Sequence, residues 1–185
     1  MRLKEEFDKE VRKLFRSGKS IVLNADSKES FSLLKQLIVD EIPEPQEGSP
    51  RGIILFKDDQ NARDFNDYIE SVFKDLDLTA DLIVEKGLRV KQRNDLYFGT
   101  ELIIGTPKRL CEIYYQNGFN IGELNFFMVV DINNIFQKGL KGFVSRLSES
   151  LPKCKKLIIE SKGKEEAVKS YYSEFIFPFK KVSSN

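Results

Sequence analysis

The stretch Glu101-Leu-Ile-Ile-Gly-Thr-Pro-Lys-Arg-Leu110 joins a short apolar run to a proline-led segment, and that junction decides the fold. The run Glu101 to Ile104 is too short for a helix and carries β-branched side chains, as a strand covered on both faces does. Pro107 suits a first helical turn, where a missing N–H forfeits no bond, so a helix from Pro107 to Asn117 follows. The same unit repeats in both directions. Further strands are expected at Ile21 to Leu23, Gly52 to Phe56, Leu82 to Val84, Phe126 to Val130 and Lys156 to Ile159. Between them, Phe31 to Ile42, Ala62 to Leu76, Leu88 to Tyr97 and Lys141 to Ser150 have helical periodicity. This alternation predicts one α/β domain over residues 1–185, a parallel sheet with helices on both faces. Ile21–Leu23, Ile53–Phe56, Ile103–Ile104, Met128–Val130 and Leu157–Ile159 are the expected inner strands.

Two segments break the rhythm. Glu41 to Arg51 holds three prolines and a glycine and reads as a surface connection inside the domain. The tail, Phe175-Ile-Phe-Pro-Phe179, spaces its phenylalanines as a pleated strand would, the other reading being an exposed apolar end.

Composition removes whole classes of chemistry. Thirty basic residues against 29 acidic ones leave a net charge of +1, so any binding of nucleic acid must come from a local patch. There is no histidine, and Cys111 and Cys154 stand far apart, which excludes zinc clusters and histidine-assisted nucleophiles. No apolar run reaches the roughly 18 residues of a membrane span. The start, Met1-Arg-Leu-Lys-Glu-Glu6, is charged where a signal peptide is apolar, so a cytoplasmic location is expected.

In an open parallel sheet, ligands gather at the carboxyl ends of the strands, where loops and helix starts collect. Here those loops are residues 24–30, 57–60, 85–87, 105–110, 131–134 and 160–163. Gly18-Lys19-Ser20 imitates the end of the phosphate-binding motif G-x-x-x-x-G-K-[ST]. Lys13 stands where the first glycine belongs, however, and a strand follows, so this reads as a turn.

Taken in order and spacing, the loops resemble the first RecA-like domain of a DEAD-box RNA helicase across nearly the whole chain. Thr106-Pro-Lys-Arg-Leu110 is similar to the family's Thr-Pro-Gly-Arg-Leu motif. Val129-Val-Asp-Ile-Asn-Asn-Ile-Phe136 looks like the Asp-Glu-Ala-Asp box with its first aspartate kept. Gly18 to Ala25 resembles the lead-in to the phosphate loop, and Leu157 to Ser161 takes the place of the strand ending in Ser-Ala-Thr. The resemblance implies a three-layer RecA-like fold of the P-loop NTPase type, with a second such domain outside this chain. It implies ATP and magnesium held at Ser27, Lys28 and Ser30 and at Asp131 and Asn134. It also implies RNA phosphates at Thr106 and Arg109, with Lys108 adding a cation where the family has glycine. Lys57, Arg63 and Arg89 are secondary RNA candidates, and Lys108 and Arg109 are expected to be exposed.

The departures from the family bear on catalysis. The phosphate-loop position has no glycine, so its backbone lacks the residues that form a nest of N–H groups. Asp26 with Glu29 matches a helix capping box instead. Ile132 replaces the glutamate of the box and Asn134 its second aspartate, and an isoleucine can neither accept a proton nor position water. No glutamine precedes Gln36 to read adenine, and Glu160-Ser161-Lys162 replaces Ser-Ala-Thr. Lys28 reads as a solvated helix-start lysine or a phosphate ligand, and Asp131 as a turn cap or a weak magnesium anchor. The basic stretch Lys86, Arg89, Lys91 and Arg93 reads as a solvated helix face or an RNA patch. The expectation is a catalytically inactive helicase-like domain without cofactor or metal, binding RNA weakly and without sequence preference. The alternatives are a protein-interaction module that kept only the fold, or the ATP-binding domain of an RNA helicase parted from its second domain. None of the three involves a membrane.

Overall fold

Successive side chains of a strand point to opposite faces, so a strand apolar at every position must be covered on both. The computed structural model, which describes residues 2–161 and 166–183, has this arrangement. Strands β1 (Ser20–Asn24), β2 (Gly52–Leu55), β3 (Ala80–Ile83), β4 (Leu102–Gly105), β5 (Phe126–Val130), β6 (Lys155–Glu160) and β7 (Phe179–Ser183) form one sheet. Its order is β3-β4-β2-β5-β6-β1-β7, and every pairing is parallel. The five strands expected inside the sheet are the inner ones.

Helices α1 (Arg2–Arg16), α2 (Phe31–Glu41) and α3 (Asp59–Asp75) cover one face. There Phe15, Leu34, Phe65 and Ile69 pack on Ile21, Leu23, Ile54, Ile104, Met128 and Ile159. Helices α4 (Arg89–Tyr97), α5 (Pro107–Tyr114), α6 (Ile132–Gln137), α7 (Lys141–Glu149) and α8 (Glu166–Tyr171) cover the other. Leu110, Ile135, Val144 and Tyr171 meet the alternate strand residues Val22, Ile53, Ile103, Val129 and Ile158. No described helix is long and apolar enough to cross a membrane.

The structure corrects the sequence reading at several places. The opening segment, read only for its charge, is a helix: Phe7, Val11 and Leu14 with Phe15 recur at helical spacing and pack on the first face. Arg12 holds both carboxylate oxygens of Asp40 at 2.9–3.0 Å and ties α1 to α2. Helix α3 begins ahead of Ala62 because Asp58 caps it, accepting the Asn61 N–H at 2.9 Å. Helix α5 stops at Tyr114, since Asn117 turns left-handed (φ +55°) and the Gly118 N–H closes on the Ile113 carbonyl. Edge strand β3 begins at Ala80, before the expected Leu82.

The tail strand is displaced. Residues Tyr172–Ile176 continue α8 as a π-helical turn that buries Ile176 and leaves Phe177 exposed, and pairing to β1 begins only at Phe179. The three phenylalanines therefore do not lie on one strand. A hydrophobic turn with even spacing imitates a strand until its backbone bonds are known.

Gly18 ends α1 in a Schellman turn at φ +79°, where its N–H reaches the Phe15 carbonyl and the Lys19 N–H reaches that of Leu14. This is the turn before a strand that the sequence implied. Gly18→Ala forces a side chain into the left-handed region and should cost about 1 kcal/mol in urea unfolding, while Lys19→Ala, at an exposed position, should leave stability unchanged.

Candidate functional site

The carboxyl ends of β2, β5 and β6 bring together a closed polar network around Asp131. This residue sits at φ +62° and ψ +49°, a left-handed conformation that aspartate tolerates, and is nearly buried. Lys57 Nζ lies 3.0 Å from Oδ2, the Asn134 amide donates to both oxygens at 2.7 and 2.8 Å, and the Ser161 hydroxyl donates to Oδ1 at 2.6 Å. Burial alone would raise the Asp131 pKa, but these donors and the Lys57 charge outweigh it and hold the carboxyl below its usual range. Asp131 is thus neither a helix cap through its side chain nor a free carboxylate. Ile132, next to it, is fully buried.

The loop after β1 is closed in the opposite sense of charge. The Asp26 carboxylate accepts the N–H of Lys28 at 2.9 Å and of Glu29 at 3.1 Å, and its carbonyl accepts the Ser30 hydroxyl at 2.6 Å. This is half of the expected capping box: it closes a turn, Glu29 is exposed, and α2 starts only at Phe31. Lys28 is exposed, with Asp64 at 3.8 Å, and Ser27 is half-buried.

A third cluster holds the loop between β3 and α4. Asp59, in the first turn of α3, accepts the N–H of Glu85 at 2.9 Å and of Lys86 at 2.8 Å. From the other side Arg109 donates to the Glu85 and Gly87 carbonyls, both at 2.7 Å, and to the Gln92 side chain at 3.1 Å. Gln92 is buried and donates to the Val84 carbonyl at 2.8 Å. A Cβ at Gly87 would stand 1.9 Å from the Gln92 amide, so a larger residue here displaces the Gln92 side chain from its bond to Val84. Arg109 is therefore largely covered, with 13% of its side chain exposed, and the expectation that it is exposed is overturned: its length lets the guanidinium turn back onto three acceptors. Lys108 is exposed. Thr106 is buried, and among the described residues its side chain makes no cap bond and its hydroxyl has no partner.

No family model and no curated protein matches the sequence. Solved structures do match. A DEAD box protein from the hyperthermophile Methanococcus jannaschii superposes with a TM-score of 0.85 at 16% identity, covering 95% of this chain and 48% of that one. A hypothetical ATP-dependent RNA helicase from Sulfolobus tokodaii gives 0.83 at 13%, covering 96% and 52%. The yeast DEAD-box splicing factor Prp28 gives 0.79 at 9%, covering 89% and 42%. The fold is that of a DEAD-box RecA-like domain. The chain spans about half the length of these matched proteins.

Within this RecA-like frame the candidate residues fall into three groups. Lys57, Asp131, Asn134 and Ser161 share one network. Ser27, Lys28 and Ser30 lie on the loop closed by Asp26. Thr106, Lys108, Arg109 and Arg89 surround the loop held by Asp59, while Arg63 is half-buried on α3. Asp59 and Gln92 were missed, because a charged first turn and a polar helix residue carry no signal of the loop they hold. Lys162, at the threonine place of Ser-Ala-Thr, lies outside the described residues. Glu160 beside it is buried, paired with Lys181 at 2.6 Å and accepting the Tyr172 hydroxyl at 2.8 Å, so it fastens β6 to the sheet edge.

Because the Asp131 carboxyl is held below its ordinary value, its contribution to stability is complete above about pH 4 and is lost as pH falls through the lower folded value. Asp131→Asn should cost on the order of 1–3 kcal/mol at neutral pH. The deficit should shrink toward zero on acidification, as read by equilibrium unfolding from neutral to strongly acidic pH.

Proposed function

We propose that this RecA-like domain works without nucleotide, as an RNA-binding domain that has lost the ATPase reaction. One observation carries the reading: the chain's own charges fill the place a nucleotide would need. The Asp26 carboxylate takes the N–H groups of the loop after β1, and the Lys57 ammonium sits on Asp131. ATP and magnesium do not fit such a site. A phosphate would meet the Asp26 carboxylate instead of free N–H donors, and a divalent cation would have to expel Lys57 and the Asn134 amide from Asp131. Ile132 offers no base to orient water.

The RNA half of the reading is supported by the loop between β3 and α4. Its backbone is fixed by Asp59 and Arg109, and around it Lys86, Arg89 and Lys108 are exposed. Lys108 stands in the first turn of α5, where free N–H groups and the helix dipole favour a phosphate. Arg109 and Lys57, already engaged within the protein, serve as positioning residues, and the buried Thr106 contributes through the helix start it occupies. Such contacts hold a backbone and read no bases. Exposed Leu88, Val90, Tyr97 and Phe98 on and after α4 favour the second reading, a protein-interaction module.

Titration with single-stranded RNA tests the proposal. Binding should weaken with salt along a log–log slope of about −2, as about three neutralised phosphates predict, and magnesium with ATP should change nothing. Lys86→Glu, Arg89→Glu and Lys108→Glu together should lower affinity about tenfold or more while the melting temperature holds, since all three side chains face solvent. A triple variant that binds like the parent, or a saturable micromolar affinity for nucleotide, would overturn it. Ile132→Glu alone should produce no ATP hydrolysis.

A further inference from the structure

The amino ends of β2, β4 and β5, the sheet edge opposite the loops described above, carry a groove of about 830 Å³. Its walls are the proline loop before β2, the end of α4 and the end of α5. Tyr97 and Phe98 stand 85% and 86% exposed, and Tyr115 54%. Their rings do not lie flat: Tyr97 meets Phe98 at 82° with centroids 6.1 Å apart, and Tyr114 meets Tyr115 at 75° and 5.4 Å. Edge-to-face pairs of this kind leave slots between rings. Leaving two adjacent aromatic rings in water forgoes much of the burial that such side chains normally supply.

The chemistry of the lining selects the occupant. None of the residues that line the groove is charged, although 32% of the chain is. The charged side chains that approach it, Glu123 beside Gly48 and Arg93 beside Gly118, are one of each sign and give no single-sign field for a phosphate backbone or a strongly charged peptide. What the groove offers is flat apolar rings and hydrogen-bond donors. The Tyr97 and Tyr114 hydroxyls and the Asn117 side-chain amide make no hydrogen bond among the described residues, while the Tyr115 hydroxyl donates to the Arg146 carbonyl at 3.3 Å and holds its ring. The floor is braced as well, Asn117 turning left-handed (φ +55°) and Asn120 accepting the Gly122 N–H at 2.7 Å.

We propose that this groove docks an uncharged, proline-rich segment of a partner protein in the polyproline II conformation. Such a segment has no internal hydrogen bonds, so its carbonyls need outside donors. Its pyrrolidine rings pack on aromatic faces, and it is already extended before it binds. Neutral donors and rings match the first two properties, and a lining without charged residues matches a segment without charge. Preorganisation on both sides lowers the entropy that docking costs. The proposal concerns the edge opposite the RNA-facing one and stands whether or not RNA binds there.

The test is fluorescence anisotropy with a labelled, uncharged proline-rich decapeptide, against the same peptide with its prolines replaced by glycine. The proline peptide should bind saturably and the glycine peptide should not. Tyr97→Ser with Phe98→Ser should weaken the proline peptide about tenfold or more, and Lys108→Glu should not affect it. Amide shifts in the unaltered protein provide a readout free of any folding defect. They should move at Gly48, Gly99, Asn117 and Gly118 and stay fixed at Gly87. Absence of saturable binding, equal binding of the glycine peptide, or shifts elsewhere overturns the proposal. So does a double variant that loses RNA affinity, which makes the face a base-stacking surface. If the double variant abolishes self-association in sedimentation, the occupant is a second copy of this chain and the proposal falls.

Discussion

Lys57 and Asp131 lie 74 residues apart and meet at 3.0 Å, and the arrangement of the carboxyl edge follows from that pair. Adjacent parallel strands β2 and β5 deliver them to the same edge in register, Leu55 opposite Val129. An aspartate nearly buried at a strand end must be paired or become neutral. Here it is paired with an ammonium and given two further donors, from Asn134 and Ser161. Through Ser161 the network reaches the end of β6, and through Lys138, which approaches Asp58 at 3.4 Å, it reaches the start of α3. Asp59, the next residue, then holds the loop after β3. Loops that depend on one another in this way are positioned collectively, and a change at Asp131 is felt beyond its own contacts.

The two edges of the sheet are built on different physics. At the carboxyl edge charge is used inward: Lys57, Asp26, Asp59 and Arg109 all spend their ionic groups on the protein itself. Lys86, Arg89 and Lys108 remain for solvent, as do Lys28, Glu29 and Glu85. In the groove at the amino edge the exposed groups are rings and amides without charge. One domain therefore presents an electrostatic surface and a dispersive one on opposite ends, and salt acts on the first far more than on the second.

Most of the sheet was legible in the sequence because burial on both faces leaves continuous apolar runs, as at Ile53–Leu55 and Phe126–Val130. Helix α1 was overlooked for a specific reason: dense charge hides a stripe as narrow as Phe7, Val11 and Leu14. The tail misled because alternation of phenylalanines is also what a helical turn followed by a bend produces. At the site, departures from the helicase motifs such as Ile132 were visible directly, but the contacts made by the residues that stand there were not. No local pattern announces that Lys57 will sit on Asp131, or that Arg109, expected from the sequence to be exposed, will turn back onto Glu85 and Gly87. Those are contacts between strand ends distant in sequence, created only when the sheet brings its loops to one edge.

An enzyme of this fold that binds a nucleotide gains stability from it by mass action and loses that stability when the nucleotide leaves. Charges supplied by the chain itself are always at hand. In the proposed reading Asp26 and Lys57 put a permanent stabilisation in place of a conditional one, the chain's own charges satisfying the carboxyl edge without an added anion or cation. The same permanence removes the means of switching, since two states must differ in what they bind for a ligand to choose between them. A domain arranged in this way is suited to holding a partner steadily and poorly suited to cycling, in line with the proposal of binding without turnover and with an isoleucine, which cannot orient water, at position 132 of a complete sheet.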